Sequence, residues 1–365
     1  MDCHIMLFMS TFNMNPSSMF TMVQKTNGII VKPMVLLQKW LQVVNYANLL
    51  TYLYEEKIKG VNTMRIVRNF SIILMFICSS LYSQEFKAGD PISAIDEAGN
   101  RVFTSPNVKV YGSFYFSESC TFDSDRNLIV AMNSGKFRAD GPNDAYVSLL
   151  NPDGTVHTPK WIGATRDGLE LNDPLGSAIS DGKLYTVDID YLRVFDLSSG
   201  APLVSHKIEG ATGMNGIAVA DNGTVYASNT RNPEIVLKIM PDGSSSIFSS
   251  NEALSLPNGV AIDNDGNVVV VNMGDNKVIT FNESGDILKT EYAAESGGDG
   301  IVIMEDGSKY VTSVRHGSVS KFASDGRVSV IARGIPNAAS MCYDSTQNQL
   351  IIPMNGNYAL GFIQL

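Results

Sequence analysis

Glu118, Asn215, Asn258 and Asp299 stand at one recurring position of this 365-residue chain, each a few residues before a polar turn. Three of them lead directly into glycine, as Asn215-Gly216, Asn258-Gly259 and Asp299-Gly300. Two carboxylates and two amide carbonyls form an all-oxygen set suited to one hard divalent cation. Ca²⁺ tolerates irregular geometry and is favoured. Mg²⁺, Mn²⁺ and Zn²⁺ stay open, zinc less so because no His or Cys joins the set. Asn or Asp before Gly is also ordinary turn chemistry. Taken singly, each residue reads as a turn former; taken together at one repeat position, they read as metal ligands.

A second group, Asp188, Asn229, Asn272, Arg315 and His316, closes the β-rich runs that follow the first set. Runs antiparallel to the first bring these ends to the same edge. They are candidates for holding a polar substrate, with solvated loop tips as the alternative. Other chemistry is missing: there is no Gly-x-Ser-x-Gly elbow, Walker loop or Rossmann fingerprint.

The elements that carry these residues are repeats. A polar turn before a β-rich run recurs at Gly182, Gly223, Gly266, Gly307 and Asn348, in steps of 41, 43, 41 and 41 residues. The step from the first such turn, Arg126-Asn127, to Gly182 is longer and points to an insertion around residues 134–145. A second turn follows each run, at Asp153-Gly154, Ser199-Gly200, Asp242-Gly243, Ser284-Gly285 and Asp325-Gly326. Asp-Gly and Asn-Gly turns form hairpins because they accept positive φ. Four short strands per unit of about 40–45 residues describe a propeller blade. The expected fold is therefore all-β: a six-bladed β-propeller with four antiparallel strands per blade. A β-sandwich or β-solenoid is the alternative. The sixth unit ends one strand short at Leu365, and residues 107–111 are expected to supply that strand and close the ring.

Residues 64–83 have the layout of a secretory signal peptide. Arg65 and Arg68 precede an apolar run from Ile72 to Cys78, and Ser83 offers a small residue before cleavage. The run is too short to span a bilayer. Residues 1–63 are then expected to be an upstream extension of the reading frame outside the fold, with a genuine extension or an internal signal anchor as the alternatives, and residues 84–365 the propeller, exported to the periplasm or the extracellular space. The chain carries 37 Asp plus Glu against 27 Lys plus Arg, for a net charge of −10. Such an acidic chain without a basic block is a poor partner for nucleic acid or an anionic membrane. Cys3, Cys78, Cys120 and Cys342 lack CxxC spacing, which argues against a thiolate zinc site or a disulfide framework. Two of them are able to pair in an oxidising compartment, which the spacing does not decide.

From residue 118 to 365 the chain resembles the senescence marker protein/gluconolactonase/luciferin-regenerating enzyme family, among the NHL-like propellers. The resemblance rests on Glu118 opening the first blade, Asn215-Gly216, Pro257-Asn258-Gly259 with Asp263-Asn264-Asp265-Gly266, and Asp299-Gly300. It implies a metal-dependent lactone hydrolase in which Glu118, Asn215, Asn258 and Asp299 bind one divalent ion and Asp299 acts as general base. The implied substrate is small and polar, a lactone or sugar derivative. Two departures stand out. Glu118-Ser119-Cys120-Thr121-Phe122 replaces the family's Glu-Gly-Pro-x-Trp, and Gly213 stands where an Arg commonly grips sugar-lactone hydroxyls. They leave room for a second reading, a non-catalytic propeller binding a sugar, peptide or partner protein.

Overall fold

The computed structural model describes residues 93–95, 101–103, 108–112, 114–137, 143–163 and 169–365. The expected upstream extension and signal segment lie outside the described residues. Strands Ser93–Ile95 and Arg101–Phe103 pair as a two-stranded ribbon that belongs to no blade.

Six four-stranded antiparallel sheets follow, as the repeat spacing predicts. Blade 1 runs Ser117–Asp123, Leu128–Asn133, Tyr146–Leu150 and Val156–Gly163. Blade 2 runs Pro174–Ser180, Lys183–Asp188, Tyr191–Asp196 and Pro202–Lys207. Blade 3 runs Met214–Val219, Val225–Asn229, Ile235–Ile239 and Ser245–Ser249. Blade 4 runs Pro257–Ile262, Val268–Asn272, Lys277–Phe281 and Ile287–Tyr292. Blade 5 runs Gly298–Ile303, Lys309–Ser313, Ser318–Phe322 and Val328–Arg333. Blade 6 takes three strands from the end of the chain, Cys342–Asp344, Gln349–Met354 and Ala359–Gln364. Its fourth is Val108–Gly112, paired from Ala359↔Gly112 to Ile363↔Val108. The N-terminal strand thus closes the last blade, as expected.

Second strands lie between neighbouring blades and are buried on both faces. This explains why Leu128–Asn133 and Val268–Asn272 read as unbroken apolar runs rather than alternating ones. The cores sit between blades: Val260, Val268, Val270, Ile279 and Phe281 of blade 4 pack with Ala218, Val236 and Phe248 of blade 3. Outer strands alternate toward solvent, as in Pro202–Lys207. Turns such as Asp306-Gly307 fold back because Gly307 takes φ +79° while the Asp306 carboxylate accepts the Ser308 N–H at 2.9 Å.

Contacts between the two ends of the repeat array seal blade 1 to blade 6. Ser119 and Ser340 form a parallel bridge, and Cys120 and Cys342 form a disulfide. The cysteine spacing argues against a disulfide framework, yet one bridge forms. Residues 222 apart in sequence meet because the ring closes on itself, which local spacing does not reveal.

Candidate metal centre

The inner strands of blades 1 to 5 each begin with an irregularity. Pairing of the first two strands shifts between Met214 and Ile217 in blade 3, Pro257 and Val260 in blade 4, and Gly298 and Ile301 in blade 5. Blade 1 shifts between Ser117 and Ser119, and blade 2 between Pro174 and Ser177. Glu118, Asn215, Asn258 and Asp299 all fall inside these shifts. A bulge removes a residue from the ladder and re-aims its side chain.

Hydroxyls on the second strands hold the bulges. Ser228 accepts the Gly216 N–H at 2.9 Å and donates to the Asn258 carbonyl of the next blade at 2.6 Å. Thr312 repeats the arrangement, accepting the Gly300 N–H at 2.7 Å and donating to the Ala339 carbonyl at 2.9 Å. Glycine after Asn215, Asn258 and Asp299 is required by close approach. A Cβ on Gly216 would lie 2.2 Å from the Asn258 carbonyl oxygen, and one on Gly259 would lie 2.3 Å from that of Asp299. A Cβ on Gly176 would meet the Asn215 oxygen, and one on Gly300 the Ser340 backbone. With the Ser119–Ser340 bridge and the Ser119 hydroxyl donating to the Leu175 carbonyl of blade 2, these contacts join the inner-strand starts of all six blades in one closed ring.

The ring carries Glu118, Asn215, Asn258 and Asp299 from blades 1, 3, 4 and 5. Glu118, Asn258 and Asp299 are 5%, 1% and 2% exposed. Two acidic residues are therefore buried at one level of the fold. Asn258 Nδ2 donates to Asp299 Oδ2 at 3.2 Å, and the Ser340 hydroxyl donates to Asp299 Oδ1 at 3.2 Å. Burial pushes the Asp299 carboxyl up to about 7, and these two donors only partly oppose it. Asn355 Nδ2 donates to Glu118 Oε2 at 2.9 Å. Ser340 also reaches Glu118, its N–H donating to the Glu118 carbonyl at 3.1 Å.

Asn215 Oδ1 and Asn258 Oδ1 are buried without a hydrogen-bond partner. An unpaired buried carbonyl costs about 1–3 kcal/mol. Lone pairs left open beside two buried acids call for positive charge, so the residues present fit a divalent cation. Among the described residues, no cluster of three or more His, Cys, Asp and Glu offers another centre.

The second group divides. Asp188, Asn229 and Asn272 are buried and turned onto the loops that lead into the inner strands. Asp188 accepts the Asn172 and Asp173 N–H groups and the Arg193 Nε–H. Asn229 accepts from the Thr212 and Gly213 N–H groups and donates to the Arg231 and Pro233 carbonyls. Asn272 donates to the Ala253 carbonyl and the Asp275 carboxylate, leaving its own Oδ1 unpartnered. Asp188 and Asn229 thus have both polar atoms engaged within the fold, whereas Asn272 has only its Nδ2 so engaged. Arg315 and His316 are exposed in the blade 5 turn. Arg315 donates to the Met273 carbonyl at 3.1 Å, and Met273 Sδ lies 3.9 Å from Asn258 Nδ2. Arg315 is thus one residue removed from the ring. His316 Nδ1 lies 3.0 Å from the Ser296 carbonyl. Gly213 faces open space, where a Cβ would meet nothing within 4 Å.

Sequence reasoning missed Ser340. Ala339-Ser340-Met341 lacks the glycine that marks the other blades, and only the bridge to Ser119 shows its place.

A six-bladed propeller with a buried oxygen-rich ring at the inner-strand starts defines the structural class. Residues 94–294 match the SMP-30/gluconolactonase/LRE-like region, and the chain belongs to that family. Glu118, Asn215 and Asn258 lie inside the match, and Asp299 just beyond it.

Solved structures share the fold. A gluconolactonase from Xanthomonas campestris is 18% identical with a TM-score of 0.51, covering 77% of this chain and 99% of its own. A protein described as a putative gluconolactonase is 15% identical with a TM-score of 0.52, covering 76% and 97%. A streptogramin B lyase is 11% identical with a TM-score of 0.50, covering 71% and 97%. No curated protein sequence matches the chain.

Proposed function

We propose that the chain is an exported, metal-dependent hydrolase that opens a lactone or related ester. The observation that carries this reading is the pair of orphaned carbonyl oxygens, Asn215 Oδ1 and Asn258 Oδ1, in the same ring as the buried acids Glu118 and Asp299. These four residues would hold one divalent ion, Ca²⁺ favoured. Such an ion polarises a carbonyl oxygen and acidifies a bound water.

Asp299 is the general base. Its burial raises the proton affinity of the carboxyl in the metal-free protein. Ser340 and Asn258 each donate to a different carboxylate oxygen and so fix its plane. Asn355 restrains Glu118 in the same way. Arg315 and His316 supply polar contacts to the substrate from the blade 5 turn, Arg315 with most of its donors free of any ion pair among the described residues. The Cys120–Cys342 disulfide and the signal-like segment support an oxidising destination, periplasmic or extracellular.

The test is turnover of a small lactone panel after chelation, with Ca²⁺, Mg²⁺, Mn²⁺ or Zn²⁺ added back. The reading predicts metal-restored turnover that disappears in Glu118→Gln and Asp299→Ala. Full turnover in Asp299→Ala would remove the assigned base. A protein that binds the ion but hydrolyses no lactone would be the binding module instead.

A further inference from the structure

We infer that Tyr115 and Tyr358 form a stacking shelf for a planar, apolar substituent of the substrate. The inference rests on the hydrolase reading and names the kind of lactone that reading leaves open. The two rings are parallel within 6°, with centroids 5.1 Å apart. They are 42% and 45% exposed, although burial is the usual fate of so much aromatic surface.

The shelf is built into the same scaffold as the ring. Tyr358 ends the short turn Asn355–Asn357, whose Asn355 donates to Glu118 Oε2 at 2.9 Å. Tyr115 lies three residues before Glu118, and the Phe114 N–H donates to the Tyr358 carbonyl at 3.2 Å. Phe116 stacks on Phe137 with centroids 4.1 Å apart, lending the segment a firm base.

Strain marks the same place. Phe116 and Tyr358 adopt φ of +52° and +55°, a region that bulky side chains avoid at a cost of about 1–3 kcal/mol. Tyr358 is not repaid by deep burial, being 45% exposed. Among the neighbouring amides, Asn337 donates to Asn357, and Asn355 is engaged by Glu118 and the Gly356 N–H. What the blade 6 side presents beside Glu118 is exposed aromatic surface, on which a planar aryl group stacks.

The experiment compares γ-phenyl-γ-butyrolactone with unsubstituted γ-butyrolactone on the full chain. Tyr358→Asn removes a ring while suiting positive φ, and Tyr115→Ser removes the other; Tyr358→Phe keeps the stack. The expected result is a loss of about fivefold in kcat/KM for the phenyl lactone alone, with Tyr358→Phe near wild type and thermal midpoints held. Equal losses on both lactones, or no loss, would overturn the shelf. So would a concentration-dependent dimer of the wild type that Tyr115→Ser abolishes, because the pair would then be an interface between copies. If neither lactone is hydrolysed, the hydrolase reading falls and the shelf is judged by calorimetric binding of γ-phenyl-γ-butyrolactone. Binding weakened by Tyr358→Asn would sustain it; absent or unchanged binding would end it.

Discussion

The hydroxyl of Ser340 on blade 6 donates to Oδ1 of Asp299 on blade 5 at 3.2 Å. The same residue bridges to blade 1 through its backbone, so one serine couples the assigned base to the seam where the ring closes. The link makes Asp299 sensitive to changes that touch no substrate.

Ser340→Ala removes a donor that favours the charged carboxylate, so the Asp299 carboxyl should titrate still higher. The acid limb of the kcat/KM pH profile is expected to move to higher pH, with kcat down about tenfold at neutral pH. An unchanged profile would show that Ser340 does not act on the base.

Metal-free protein should lose stability as pH rises toward neutrality. The folded pKa of Asp299, about 7, lies above the ordinary carboxylate range, so the folded state binds the extra proton. Its contribution is full below the unfolded pKa and fades as pH rises through about 7. Depressed surface carboxylates such as Asp196, near 2, act in the opposite sense but only at lower pH. Urea midpoints at pH 5.5 and 8 should therefore differ in wild type and converge in Asp299→Asn. Equal midpoints in the wild type would place the proton elsewhere.

The seam should matter to stability. A cross-link between residues 222 apart is worth about 5 kcal/mol in the chain-entropy account. Cys120→Ser with Cys342→Ser, or reduction of the wild type, should lower the unfolding free energy by that order. A change under about 1 kcal/mol would mean that the Val108–Gly112 strand closes the ring unaided.

Glycine at the ring is a packing requirement. Gly216→Ala would drive a Cβ into the Asn258 carbonyl and should cost about 1–3 kcal/mol while weakening metal binding. Gly213→Ala, in open space, is the neutral control. Chemical denaturation of the two variants separates them; equal effects would contradict the contact.

Much of this architecture was legible because turns and bulges need particular residues. Asp-Gly and Asn-Gly turns betrayed the blade period, and Asn215-Gly216, Asn258-Gly259 and Asp299-Gly300 marked the bulges where close approach excludes a Cβ. Closure by residues near 108 followed from a sixth unit that lacked a strand. Ser340 was invisible because its place depends on a bridge to Ser119 and not on a local motif. Asp188, Asn229 and Asn272 show the opposite difficulty. Bracing a loop and holding a ligand call for the same short polar side chains, and only the partners tell them apart. The pairing of Cys120 with Cys342 depended on ring closure, which brings the chain's distant parts together.

Calorimetric titration of Ca²⁺ into chelator-treated protein tests the metal centre most directly, with Mg²⁺, Mn²⁺ and Zn²⁺ as comparisons. The account predicts one ion per chain in the wild type and none in Glu118→Gln or Asp299→Asn, each still folded. An absence of binding by any of the four ions, or stoichiometry unchanged in both variants, would reduce the ring to turn chemistry.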